Sequence, residues 1–85
     1  MLVMASLLTQ VSAAVFTKNL SFGAKNDEVK KVQEFLIARQ FLTGTPTNYF
    51  GSQTKKAVQA FQKKNGLPAT GSWFLLTRQK AEYIV

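Results

Sequence analysis

Few residues in this chain are equipped for acid–base or covalent chemistry. Its 85 residues include no histidine and no cysteine. The commonest general base, the commonest metal ligand and any thiolate nucleophile are therefore missing. The acids are Asp27, Glu28, Glu34 and Glu82, of which only Asp27 and Glu28 are neighbours, side by side at a helix start. They do not make the carboxylate pair a hydrolase needs. No glycine-rich phosphate loop is present either. The chain reads as a non-enzyme, with no metal and no cofactor.

What remains is binding chemistry, carried by amides and aromatic rings. Gln33 lies between Val29, Val32 and Leu36, near the middle of an apolar helix face. A buried amide must find partners or cost about 1–3 kcal/mol. Two uses are open to it: pinning the backbone of the 44–51 loop, or facing a binding cleft. Gln62 flanks the apolar stripe of the next helix and poses the same choice. Tyr49 and Trp73 stand in two separate loops, and each joins an apolar ring to a polar handle. One use is to bracket a ligand and stack on the apolar face of a sugar ring. For Trp73 the other use is to cover a small core. Phe50, just before a helix start, is expected to brace that helix.

The elements that must position these residues follow from capping and periodicity. Asn26 is a good N-cap, and Asp27 and Glu28 suit the positive end of the helix dipole, so a helix is expected over about 27–40. Arg39 has the right sign for its far end. Gly44, Pro46 and Asn48 mark a loop over 41–50. A second helix is expected over about 52–65, capped by Gly51 or Ser52 and stopped by Gly66. Its Thr54, Ala57, Val58 and Phe61 form one buried stripe, while Lys55, Lys56, Lys63 and Lys64 spread over the other side. Leu67 is expected to pack back on the helix end. A weaker third helix is expected over about 74–83, with Leu76, Tyr83 and Ile84 sharing a face and Ala81 contributing little. Leu20 and Phe22 anchor the loop that precedes the first helix. The fold class is all-α: a compact orthogonal three-helix bundle.

Length and charge narrow the choice further. A chain this short is one small domain, without disulfides to brace it. The formal net charge of +7 favours polyanions, but many basic domains have no polyanion partner. The lysines of the second helix read as a solvated face. A groove-reading helix adds Arg, Asn or Gln at base-contacting positions, and this one has Gln53 and Gln59 but no arginine. About ten residues separate the first two helices, against the three or four of a helix-turn-helix.

Residues 1–16, "MLVMASLLTQVSAAVF", carry no charge. They are too short for a membrane span, which needs about 20 apolar residues. Residues 1–14 resemble the end of a secretory signal, with a cleavage site after Ala13 or Ala14 and no basic start. The rival reading is an extra N-terminal helix. Residues 15–85 then form the domain. A faint internal echo, "KKVQEFL" at 30–36 and "KAVQAFQ" at 56–62, has only two copies and does not make a solenoid.

The run "YFGSQTKKAVQAFQKKNGLPATG" resembles the core of the peptidoglycan-binding domain found beside bacterial and phage cell-wall hydrolases. The matching positions are Val29, Val32, Gln33 and Leu36, then Phe50, Gly51 and Thr54. Ala57, Val58, Phe61, Gln62, Gly66 and Leu67 follow, with Gly71 and Thr77 beyond. The resemblance covers residues 20–81. The departures are Asn48 and Gln40 where the family has Gly, Phe74 where Gly or Asp opens the third helix, and Ala81 where Leu is usual.

The resemblance implies a three-helix domain that binds peptidoglycan, through glycan strand or stem peptide, without chemistry. It would hold itself or an attached hydrolase at the wall, as a monomer, secreted or associated with a bacterial cell envelope, with phage origin equally open. Anionic wall polymers are further candidate partners, and no specific nucleic acid is expected. The implied ligand-binding residues are Gln33, Tyr49, Phe50, Thr54, Phe61 and Gln62, to which the loop aromatics add Trp73. The alternatives are a basic helical nucleic-acid-binding domain and a protein-interaction domain that kept the fold and lost wall binding.

Overall fold

The computed structural model of the chain describes residues 15–84; the secretory leader expected at residues 1–14 lies outside them. Among the described residues the chain forms three helices: α1 (Asp27–Ala38), α2 (Ser52–Lys64) and α3 (Leu75–Ile84). The fold is all-α, as expected.

Helix α1 starts as its sequence dictates. The Asn26 Oδ1 accepts from the backbone N–H of Glu28 (2.9 Å) and Val29 (3.1 Å), satisfying two of the donors a helix start leaves orphaned. Both α1 and α2 stop in the same way. The Phe41 N–H reaches back to the Leu36 carbonyl (2.8 Å), and the Leu67 N–H to that of Gln62 (2.9 Å). Each stop needs a left-handed residue in between. At α2 it is Gly66 (φ 73°), which adopts it freely; at α1 it is Gln40 (φ 68°), where a side chain costs roughly 1–2 kcal/mol.

The core is a cluster of rings and branched side chains. Phe16, Phe35, Phe61 and Trp73 meet with centroids 5.2–6.0 Å apart, mostly edge to face. Val29, Val32, Leu36, Phe50, Ala57 and Val58 close around them. Phe50, expected to brace a helix start, is buried in this core itself.

The buried side of α3 differs from the expected one. Ala81, expected to contribute little, is 0% exposed, while Tyr83 is 86% exposed and Leu76 also points to solvent. The inward face is Thr77, Ala81 and Ile84, at spacings of four and three. Ala81 is buried in the same core as the ring cluster.

An N-terminal strap, residues 16–26, ties the loops to the helices. Leu20 and Trp73 exchange backbone hydrogen bonds (3.0 and 2.7 Å). Further along, Gly23 donates to the Phe50 carbonyl (2.8 Å), Phe50 to that of Ala24 (2.8 Å), and Asn26 to that of Asn48 (3.0 Å). Glu28 adds a second tie. Its buried carboxylate accepts from the N–H groups of Thr17 and Lys18 and from the Thr17 hydroxyl. Glu82 does the same for Val15 and Phe16 (3.2 and 3.0 Å). Two of the four acids therefore anchor backbone.

Arg39, expected to complement the end of its own helix, donates instead to the Ile84 carbonyl (3.3 Å) at the end of α3. Its guanidinium also lies over the Phe35 ring at 5.4 Å.

Candidate functional site

The loop between α1 and α2 is held from below by one side chain. The Gln33 Nε2 donates to the Tyr49 carbonyl (2.8 Å) and the Thr54 hydroxyl (3.0 Å), while its Oε1 accepts from the Thr47 N–H (2.5 Å). Both amide protons are engaged, so Gln33 fixes the loop and has no donor left for a ligand. The Thr47 hydroxyl tightens the turn by accepting from the Tyr49 N–H (3.2 Å).

Above this frame lies an open groove of about 340 Å³. Its walls include Leu42, Thr43, Thr45, Thr47, Tyr49, Ser52, Gln53 and Thr54, with Gln33 and Gly51 at the base. None of these side chains is charged. Thr43, Thr45, Ser52 and Gln53 are exposed, and Tyr49 is 46% exposed with its ring over Gly51. Hydroxyl and amide groups beside one accessible ring can hydrogen-bond a neutral polyol and stack on its apolar face.

Gln62 repeats the arrangement one helix later. Its Nε2 donates to the Ser72 carbonyl (2.9 Å) and the Thr77 hydroxyl (3.0 Å), and its Oε1 accepts from the Gly71 N–H (2.9 Å). The Thr70 hydroxyl accepts from the Ser72 N–H (3.1 Å), as Thr47 does for Tyr49. The hollow beside this frame holds about 230 Å³ and is walled mainly by Leu67, Pro68, Phe74, Leu75 and Leu76.

The seven expected site residues thus part company. Gln33, Tyr49 and Thr54 come together at the first groove, and Gln62 belongs to the second hollow. Phe50, Phe61 and Trp73 are buried in the core. Trp73 is 0% exposed, so no ring face is open to a sugar and the Tyr49–Trp73 bracket does not form. Its indole N–H finds no acceptor among the described residues. An unmet donor costs about 1–3 kcal/mol. Burying a ring of 150–250 Å² returns roughly 4–6 kcal/mol, so burial wins. Of the groove threonines only Thr54 was expected, although "TGTPT" at 43–47 places Thr43, Thr45 and Thr47 at alternate positions.

Residues 25–78 match the family profile described as "Putative peptidoglycan binding domain". The chain belongs to the peptidoglycan-binding domain family. The domain is similar to the SleB N-terminal domain, at 31% sequence identity and a TM-score of 0.78, covering 82% of this chain and 97% of that one. It is also similar to the endolysin of Burkholderia AP3 phage, at 33% identity and a TM-score of 0.71 over 75% of this chain. It spans 24% of the endolysin's length. Among curated proteins none matches.

Proposed function

We propose that this chain is a non-catalytic module that binds peptidoglycan through the groove between α1 and α2 and holds itself, or an enzyme attached to it, at the bacterial wall. The observation that carries the reading is the groove's chemistry: uncharged, lined with hydroxyls and amides, with Tyr49 as its one accessible ring. A glycan strand offers hydroxyls and apolar ring faces to match it.

The exposed lysines Lys55, Lys56, Lys63 and Lys64 lie outside the groove and suit long-range attraction to anionic wall polymers. Because no cation lines the groove itself, the reading favours a neutral ligand over a nucleic acid backbone. The module acts as a monomer in the cell envelope or outside the cell. Residues 1–14 serve as its export leader; a cut after Ala14 leaves Phe16 and the rest of the core with the mature domain, which supports that boundary.

The test is co-sedimentation of the folded protein with purified peptidoglycan stripped of anionic polymers. Retention that survives moderate salt is expected. A folded domain left in the supernatant at both low and moderate salt would refute the reading.

A further inference from the structure

The N-caps of α1 and α2 are built differently. Asn26 caps α1 with its side chain, whereas Gly51 caps α2 with no side-chain hydrogen bond at all. Serine, threonine, aspartate or asparagine at that position would accept from an orphaned N–H of the first turn and strengthen the helix. The backbone does not demand glycine. Gly51 has φ −95° and ψ −167°, an extended conformation open to any residue.

What glycine supplies is room for a ring. A Cβ at position 51 would stand 3.1 Å from Tyr49 Cε2 and 3.3 Å from Cδ2. The Tyr49 main chain cannot yield easily, because its N–H is held by Thr47 and its carbonyl by Gln33. The ring itself would have to give, by a few tenths of an ångström, and so tilt from its seat on the helix end.

We infer that Gly51 is a positioning residue: its missing side chain seats the Tyr49 ring over the start of α2 and so sets the stacking wall for a pyranose ring. The inference rests on the wall-binding reading above. The second frame shows the seat reversed. There the small residue is Ser72 and the bulky one is Phe74, which takes the place of Gly51 just before α3. No ring is laid across that helix start from position 72, so the pyranose belongs to the first groove.

The experiment compares wild type, Gly51→Ser, Gly51→Ala, Tyr49→Ala and the double variant Tyr49→Ala/Gly51→Ser as full chains. Each is measured by thermal unfolding, by binding to purified peptidoglycan, and by NMR contacts of the Tyr49 ring. Gly51→Ser is expected to unfold at the same or a higher temperature and yet bind roughly tenfold more weakly. Tyr49→Ala should lose a similar factor, and the double variant no more than either single one. In Gly51→Ala the contacts of the Tyr49 ring with groove residues other than residue 51 should change. Wild-type binding by Gly51→Ser, or losses that multiply in the double variant, would overturn the inference. Should wild type itself fail to bind, the wall-binding reading falls and the ring contacts alone judge the seat. Contacts unchanged in Gly51→Ala refute it; altered contacts leave it standing.

Discussion

The stretch from α1 through its following loop and the stretch from α2 through its loop are built on one plan and present opposite surfaces. In each, a helix glutamine holds the next loop through its carbonyl at Tyr49 or Ser72 and through a threonine, Thr54 or Thr77, in the next helix. In each, the residue after that carbonyl is a buried aromatic, Phe50 or Trp73. Yet the first loop walls its groove with threonines and a tyrosine, and the second with leucines, proline and phenylalanine. The frame needs only backbone partners and two hydroxyls, so the residues between them are free to set the surface. The lesson is that scaffold and recognition are carried by different positions of the same loop.

The largest effects should come from the buried aromatics. Trp73→Ala is expected to cost about 3–5 kcal/mol, out of the roughly 5–10 kcal/mol that a domain this size holds in all. Trp73 meets Phe16, Phe35 and Phe61, so urea denaturation should show most of the stability lost. A loss below about 1 kcal/mol would mean that the ring is not a core element.

Next come the two glutamines. Gln33→Ala and Gln62→Ala each strip an acceptor from a loop N–H and donors from a carbonyl and a threonine, at about 2–3 kcal/mol apiece. The costs should be alike, but at temperatures where both variants remain folded only Gln33→Ala should weaken retention on peptidoglycan. Equal binding loss from Gln62→Ala would make the second loop part of the site and break the contrast.

A smaller effect is expected from the exposed rings. Tyr49→Ala should leave the unfolding temperature almost unchanged and lower wall affinity roughly tenfold. Phe74→Ala, at 49% exposure, should leave both nearly unchanged. Titration with soluble wall fragments distinguishes them; if Phe74→Ala proves the more damaging, the recognition surface lies on the second loop.

The smallest change should be a gain. Gln40→Gly brings the stop of α1 into line with Gly66 at α2, relieving a left-handed side chain, and should add up to about 1 kcal/mol after the unfolded-state penalty of glycine. Thermal unfolding checks it; a loss of stability would show that the Gln40 side chain makes a contact worth more than its strain.

Much of this plan could be read in the residues. Asn26, Gly51 and Gly66 marked the helix limits to within two residues, and the stripes of α1 and α2 were visible in their spacing. Gln33 stood out because an amide on an apolar face needs partners. The internal echo aligns Gln33 with Gln59, whereas the structural counterpart is the other glutamine singled out in the sequence, Gln62, one turn later. The first loop covers residues 39–51 and the second only 65–74, so the shorter loop reaches a glutamine nearer its helix end. The spacing within a helix says nothing of how far the following loop returns.

By itself, the sequence determined the three helices, their caps and stops, the absence of histidine and cysteine, and the family frame. These follow from local rules: capping geometry, helical periodicity and residue chemistry. Only the tertiary structure decided which rings face water. Tyr49 and Trp73 look alike in sequence, each a loop aromatic before a helix. Trp73 is drawn inward by backbone pairing with Leu20 and by three neighbouring rings, while Tyr49 is held outward by Gln33 and Thr47 gripping its main chain. All of those partners but Thr47 lie far along the chain, and burial is settled by what they leave open.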